Sequence, residues 1–230
     1  MIFYIISIEP LGNYNALLMS NNRRNFIKKM VASSVAIPFS NFLYSSENIE
    51  NRTKYPINFF TKPLDKYGYD FMIDTLKMGG VDGLDLTVRP KGSVLPERVE
   101  KDLPLVAEMA KTNGLLLEMM VSNITSAQTP YARKVLNIAA RNGIKHYRLG
   151  YFRYNEDEKA KQTIERAKSQ IHSLIDLNKH YGIQGGYQNH TGNYFGSPLW
   201  DLIGVLDSLS SHWMSSQFDI YHAYSEGYKS

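Results

Sequence analysis

The sequence predicts an α/β fold with a parallel sheet of (β/α)-barrel type, with about six of eight βα units present. Three observations predict it. Short β-rich runs alternate with amphipathic helical stretches at a pitch of about 30 residues, as βαβ units require. Neither the glycine fingerprint of a dinucleotide site nor a phosphate-binding P-loop occurs. Polar side chains recur at the C-terminal ends of strand after strand. A barrel builds its site from many strand ends, whereas an open doubly wound sheet, which also fits the alternation, gathers its site at one switch point. The scatter of the polar positions favours the barrel.

In chain order, "YPINFF" (55–60) is a first short strand. "DKYGYDFMIDTLKMGG" places Met72, Ile73 and Leu76 on one helical face, with glycines as its stop. "VDGLDLTV" (81–88) is the second strand, ending near Asp85 and Arg89. "LPERVEKDLPLVAEMAKTNG" spaces Val99, Leu103, Val106 and Ala110 as a helix, with Pro104 expected to kink its first turns. "LLLEMMVSNI" (115–124) is a strand carrying Glu118 and Asn123. The next helix buries Ala132, Val135, Leu136 and Ala139. "IKHYRLGYF" (144–152) brings Arg148. A long helix over 156–181 turns Ala160, Ile164, Ala167, Ile171 and Leu174 inward. "GIQGGYQNH" (182–190) ends in Gln188, Asn189 and His190. A helix over "SPLWDLIGVLDSL" leads to the sixth strand, 213–223, which carries Asp219 and, three residues on, His222.

Residues 1–45 read as an export signal. Arg23 and Arg24 precede Phe26, Ile27, Lys28 and a short apolar run, a spacing similar to the twin-arginine signal. The run is too short and interrupted to span a bilayer. Met19 is the natural start, so residues 1–18 read as a mis-assigned extension. The expected location is exported and periplasmic, with residues 46–230 as the folded domain.

Composition narrows the function classes. The chain has 230 residues, 43% of them hydrophobic, enough to bury a substantial core. It has no cysteine, hence no disulfide and no thiolate metal site. Of 26 basic and 22 acidic residues, four and one lie before residue 46, which leaves the body at 22 against 21. A body so close to neutral argues against a nucleic-acid groove.

"DLTVRP.GSVLPERV", "GYQNHTGNYFGSPLWDLIGVLDSL" and "WMSSQFDIYHA.SEG" together resemble the xylose isomerase-like TIM-barrel superfamily, closest to its exported branch of sugar phosphate isomerase/epimerase-like proteins. The resemblance runs from about residue 55 to 230. It implies proton transfer next to the carbonyl of a small carbohydrate, assisted by a divalent metal such as manganese, magnesium or zinc. It implies Asp219 as a strand-six metal ligand and His222 as a substrate contact. The strand-five glutamate of metal-dependent members falls on Gln188, which lacks charge and cannot act as a base. Two further units are implied beyond the sixth strand, so the chain is expected to be truncated by a frameshift, a gene fragment or an incomplete sequence.

The expected site therefore comprises Glu118, His190 and His222 as catalytic groups. Arg89, Arg148, Gln188, Asn189 and Tyr194 are expected to bind substrate, with Asp219 and Gln188 toward the metal. Each has a plainer reading. Asp219 and His222 can be a cap and a satisfied histidine. Glu118 can pair with a neighbour such as Arg148. Tyr151, Tyr154, Tyr187, Tyr194 and Phe195 can stack on a sugar ring or simply pack. An inactive barrel fragment or sugar-binding protein on the same scaffold is the competing function, and a DNA-cleaving relative is disfavoured by the near-neutral body. No stable membrane span and no nucleic-acid partner are expected. The oligomeric state is not legible.

Overall fold

The computed structural model describes residues 55–227. The export-signal reading and the domain boundary at residue 45 lie outside the described residues.

Six strands form one sheet in sequence order, every neighbouring pair parallel: β1 (Asn58–Phe60), β2 (Gly83–Val88), β3 (Leu116–Ser122), β4 (His146–Arg148), β5 (Gln184–Gln188) and β6 (Met214–Gln217). The helices are α1 (Tyr69–Gly79), α2 (Val99–Thr112), α3 (Ala132–Arg141), α4 (Ala160–Tyr181), α5 (Leu199–Leu209) and α6 (Ile220–Gly227). Strand order equal to chain order is the order of a (β/α) barrel. Among the described residues β1 and β6 are sheet edges, so the barrel is partial.

Strand alternation sorts the side chains. All of β2 is buried, as expected of a parallel strand covered on both faces. Leu84, Leu86 and Val88 join the main apolar cluster with Met120, Tyr147 and Tyr187, and with the helical residues Leu103, Leu136 and Ile171. The intervening Asp85, Thr87, Arg148 and Gln188 are also buried, but on the opposite, concave face. The helical faces expected for α1, α2 and α3 are the buried ones. α1 and α4 end at Gly80 and Gly182, both at φ 67°, the left-handed conformation that glycine adopts without steric cost. Pro104 sits inside α2 without ending it.

β1 and β4 are shorter than expected, spanning Asn58–Phe60 and His146–Arg148, and two other departures have a visible local cause. α4 starts at Ala160, not 156, and Ala160 is exposed. Glu158 folds back onto Thr163 and Arg166, both at 2.8 Å, and occupies the turn before the helix. β6 ends at Gln217, and the chain then turns into α6, so Asp219 and His222 do not lie on a strand. Asp219 caps that helix: its Oδ1 accepts the backbone N–H of His222 at 3.1 Å and its carbonyl accepts that of Ala223 at 3.0 Å.

One irregularity bears on the site. Gly83 pairs with Leu116, but Asp85 pairs with Met119, so β3 carries one extra residue there. The bulge falls across Leu117 and Glu118 and re-aims the side chains of the rest of the strand.

Candidate active site at the C-terminal ends of the strands

The C-terminal ends of β2, β4, β5 and β6 converge on one polar cluster. Gln188, the last residue of β5, is its hub. Its Oε1 accepts Arg148 Nη1 at 2.6 Å and the Tyr151 hydroxyl, and its Nε2 donates to Asp219 Oδ2 at 2.7 Å. Donors on one side and a carboxylate on the other set the orientation of the amide. Arg148 ends β4 and is buried, with its guanidinium 5.1 Å from the Phe60 ring centre and 5.5 Å from that of Tyr151. Arg89 follows β2; its guanidinium lies 5.9 Å from the Phe60 ring centre, with Asp65 3.8 Å from its Nη2. Burial and the repulsion of Arg148 hold its pKa below the ordinary arginine value. Two guanidiniums thus share one aromatic ring at the mouth of the sheet.

Beside them stands a ring-lined wall. The rings of His190 and His222 lie with centres 3.8 Å apart, tilted by 31°. His222 Nε2 is 3.8 Å from Asp219 Oδ2, and His190 Nδ1 is 2.9 Å from the Thr191 carbonyl. Tyr151 and Tyr194 meet His190 at 5.2 and 4.7 Å, and Arg153 covers the Tyr194 ring at 4.2 Å. Burial raises the Tyr151 hydroxyl pKa, against the pull of Arg148. Of the other aromatics, Tyr187 and Phe195 are wholly buried packing residues, and Tyr154 is spent on Asp201 at 2.6 Å.

Arg89, Arg148, Gln188, His190, Tyr194, Asp219 and His222 are therefore brought together. Asn189 is close by but faces the backbone: its Oδ1 accepts Asp219 N–H at 2.7 Å and its Nδ2 donates to Asp219 O at 2.9 Å. It positions the β6–α6 junction rather than meeting a ligand. Glu118 is not brought in. It sits at the third residue of β3, on the bulge, and pairs with Lys145, not with Arg148. The extra residue pairs Asp85 with Met119 instead, which leaves Glu118 out of the cluster.

Asp85 carries the feature that residue-by-residue reading passed over. It is 3% exposed and neither carboxyl oxygen has a hydrogen-bond partner. Burial pushes its pKa up to about 7, against the opposing pull of Arg148 and Arg89. The signal was present as one acid alternating with leucines in "GLDLTV". Lower on the concave face, Met119, His146, Gly186 and Gln217 line a cavity of about 120 Å³.

The residues present do not fit the metal pair that the resemblance implies. Gln188 turns its amide nitrogen, a donor, toward Asp219, and its oxygen is taken by a guanidinium. Both Asp219 oxygens already accept N–H groups. A cation between the two would face an NH₂ group and stand next to Arg148. Among the described residues no cluster of three or more His, Cys, Asp or Glu side chains could hold a metal ion.

The xylose isomerase-like TIM barrel family matches residues 80–230. No curated protein matches the sequence. Among solved structures, the probable 3-DHS dehydratase AsbF of Bacillus anthracis is 11% identical with a TM-score of 0.60, over 75% of this chain and 66% of that one. The 3-keto-D-glucoside 4-epimerase YcjR of E. coli is 12% identical with a TM-score of 0.60, over 74% and 70%. The D-allulose 3-epimerase of Methylomonas sp., in complex with D-allulose, is 12% identical with a TM-score of 0.57, over 76% and 66%. The aligned part of this chain thus covers about two thirds of the length of each. These likenesses concern the fold, and no helix among the described residues is long and apolar enough to cross a membrane. With a family match that covers well over half of its length and a parallel sheet in strand order β1 to β6, the chain belongs to the xylose isomerase-like TIM barrel family.

Proposed function

We propose that the protein acts on a small sugar or sugar phosphate, as an isomerase or epimerase that moves a proton next to a carbonyl. The observation that carries this reading is the Arg148–Gln188–Asp219 chain at the strand ends, with Arg89 and the His190–His222 pair on either side. Two guanidiniums suit a phosphate or an enediolate oxygen. Tyr151 and Tyr194 suit the apolar face of a sugar ring. The family and the epimerases among its structural neighbours support the same reaction class. The metal-assisted form of the reaction is not part of this reading, because the Gln188–Asp219 pair does not offer a cation two acceptors.

The competing reading is a sugar-binding protein without turnover, which the amide at position 188 favours. One experiment separates the two. The full chain is incubated in D₂O with D-fructose, D-allulose, fructose 6-phosphate and 3-keto-D-glucosides, and proton NMR follows deuterium entry next to the carbonyl. Exchange supports the isomerase reading. Saturable binding without exchange supports the binding reading, and the absence of both exchange and binding sinks the two together.

We also propose that the chain is exported in folded form, on the strength of Arg23–Arg24 and the apolar run after them. Expressed in a bacterium with a twin-arginine system, the chain is expected in the periplasm, and an R23K/R24K variant in the cytoplasm. Equal distribution of the two would remove the export reading.

A further inference from the structure

We infer that Asp85 is the group that exchanges a proton with the bound sugar, and that the Arg148 guanidinium supplies the fixed positive charge beside it. The inference rests on the isomerase reading and names the residues that would perform it.

Buried polar atoms are nearly always hydrogen-bonded, so orphans need an explanation. Both oxygens of Asp85 are orphans, and so are Arg148 Nε and Gln217 Oε1, contributed by β2, β4 and β6. All three residues are more than nine-tenths buried. A ligand rich in hydroxyls, with a carbonyl, offers the donors and acceptors that these atoms lack. The surroundings of Asp85 suit an acid/base more than a structural ion pair. β1 places Phe60 beside it and β3 places Met119, both apolar. The charged groups acting on it are Arg148 from β4 and Arg89 from the end of its own strand. Neither is within bonding distance of its oxygens, since these have no partner. Arg148 is instead committed to Gln188, a neutral amide, so its charge is not cancelled by a carboxylate in direct contact. A carboxyl at about 7 has both forms populated near neutrality, which is the condition for efficient proton exchange.

The step balances without a co-reactant. The Asp85 carboxylate takes the proton from the carbon next to the carbonyl, so a C–H bond breaks and an O–H bond forms on Asp85. The electron pair moves to the carbonyl oxygen, giving an enediolate that faces Arg148, and the hydroxyl on the deprotonated carbon passes its proton to that oxygen, which leaves the negative charge on its own oxygen. While it rests on Asp85 the proton exchanges with solvent; Asp85 then gives a proton to the neighbouring carbon, the carbonyl re-forms on the first carbon, and Asp85 is ionised again. One base on one face thus accounts for a shift between adjacent carbons, which is an isomerisation.

The test uses the full chain and any ketose that the wild type exchanges in D₂O. Asp85→Asn is expected to lose about 100-fold or more in exchange rate with little change in KM, in the range set by general acid/base catalysis. Asp85→Glu is expected to recover part of it. The wild-type rate is expected to show a pH limb near 7, and in Arg148→Gln that limb moves up, because a positive charge that holds the acid down is gone. Infrared titration of the carboxyl band, as wild type minus Asp85→Asn, should show the same midpoint and the same upward move. Full exchange by Asp85→Asn, or a carboxyl that titrates below about 5 in the folded protein, overturns the assignment of Asp85 and leaves the isomerase reading standing. Absence of exchange by the wild type overturns both.

Discussion

Between pH 4 and pH 8 the wild-type protein will lose folding stability through Asp85, and the Asp85→Asn variant will not share that loss. The folded-state pKa of this carboxyl is about 7, raised by burial above its ordinary value near 3.8. Over that window the folded chain holds a proton that the unfolded chain has released. Stability from this group is therefore fully present below about 4 and declines as pH rises through about 7. About three pKa units correspond to a loss on the order of 4 kcal/mol. Urea midpoints at pH 4 and pH 8 measure it. Other carboxylates contribute to the absolute trend, but they are common to both proteins, so the difference between wild type and Asp85→Asn isolates this one. Parallel curves for the two proteins would show that Asp85 is ionised in the fold, and would remove the basis for a near-neutral acid in the site. The result also bears on function. A protein that retains a buried, unpartnered carboxyl tolerates a destabilisation that a simple Asp-to-Asn change would relieve, as strained active sites commonly do.

Tyr187→Ala will destabilise the fold by about 3–5 kcal/mol, the range for removing a large buried aromatic. Tyr187 is fully buried. Its ring stacks on Phe152 at 5.7 Å and meets Phe195 edge-on at 5.2 Å. These two belong to the loops that follow β4 and β5, and Phe195 N–H bonds the Phe152 carbonyl at 3.1 Å. The Tyr187 hydroxyl adds an acceptor for the Phe152 N–H at 3.1 Å. Removing the ring opens a cavity beneath both loops, which also carry Tyr151, His190 and Tyr194. Tyr187→Phe keeps the packing and leaves only that N–H unbonded, for a cost of about 1–2 kcal/mol. Thermal or urea melts of the two variants check the ordering. Equal losses would mean that the hydroxyl rather than the ring holds the loops.

The succession of strands and helices was legible in the sequence, because hydrophobic periodicity reports which face of each element is buried. The faces of α1, α2 and α3 follow from it directly. The gathering of Arg89, Arg148, Gln188 and Asp219 was legible for a related reason. In a parallel sheet every strand points the same way, so polar residues at successive C-terminal ends must share a rim. Two things were decided only by tertiary structure. One was which lone acid in an apolar strand enters the site. Asp85 and Glu118 are both third residues of their strands, but an extra residue in β3 pairs Asp85 with Met119 and leaves Glu118 outside with Lys145. Register is set by neighbouring strands, and no periodicity within one strand reports it. The other was the conformation of the last turn. Asp219 and His222 read as strand, yet Asn189 grips the backbone of Asp219 and the Asp219 carboxylate caps α6. The two Asn189 bonds join residues 30 positions apart, so the pattern within either segment could not announce them.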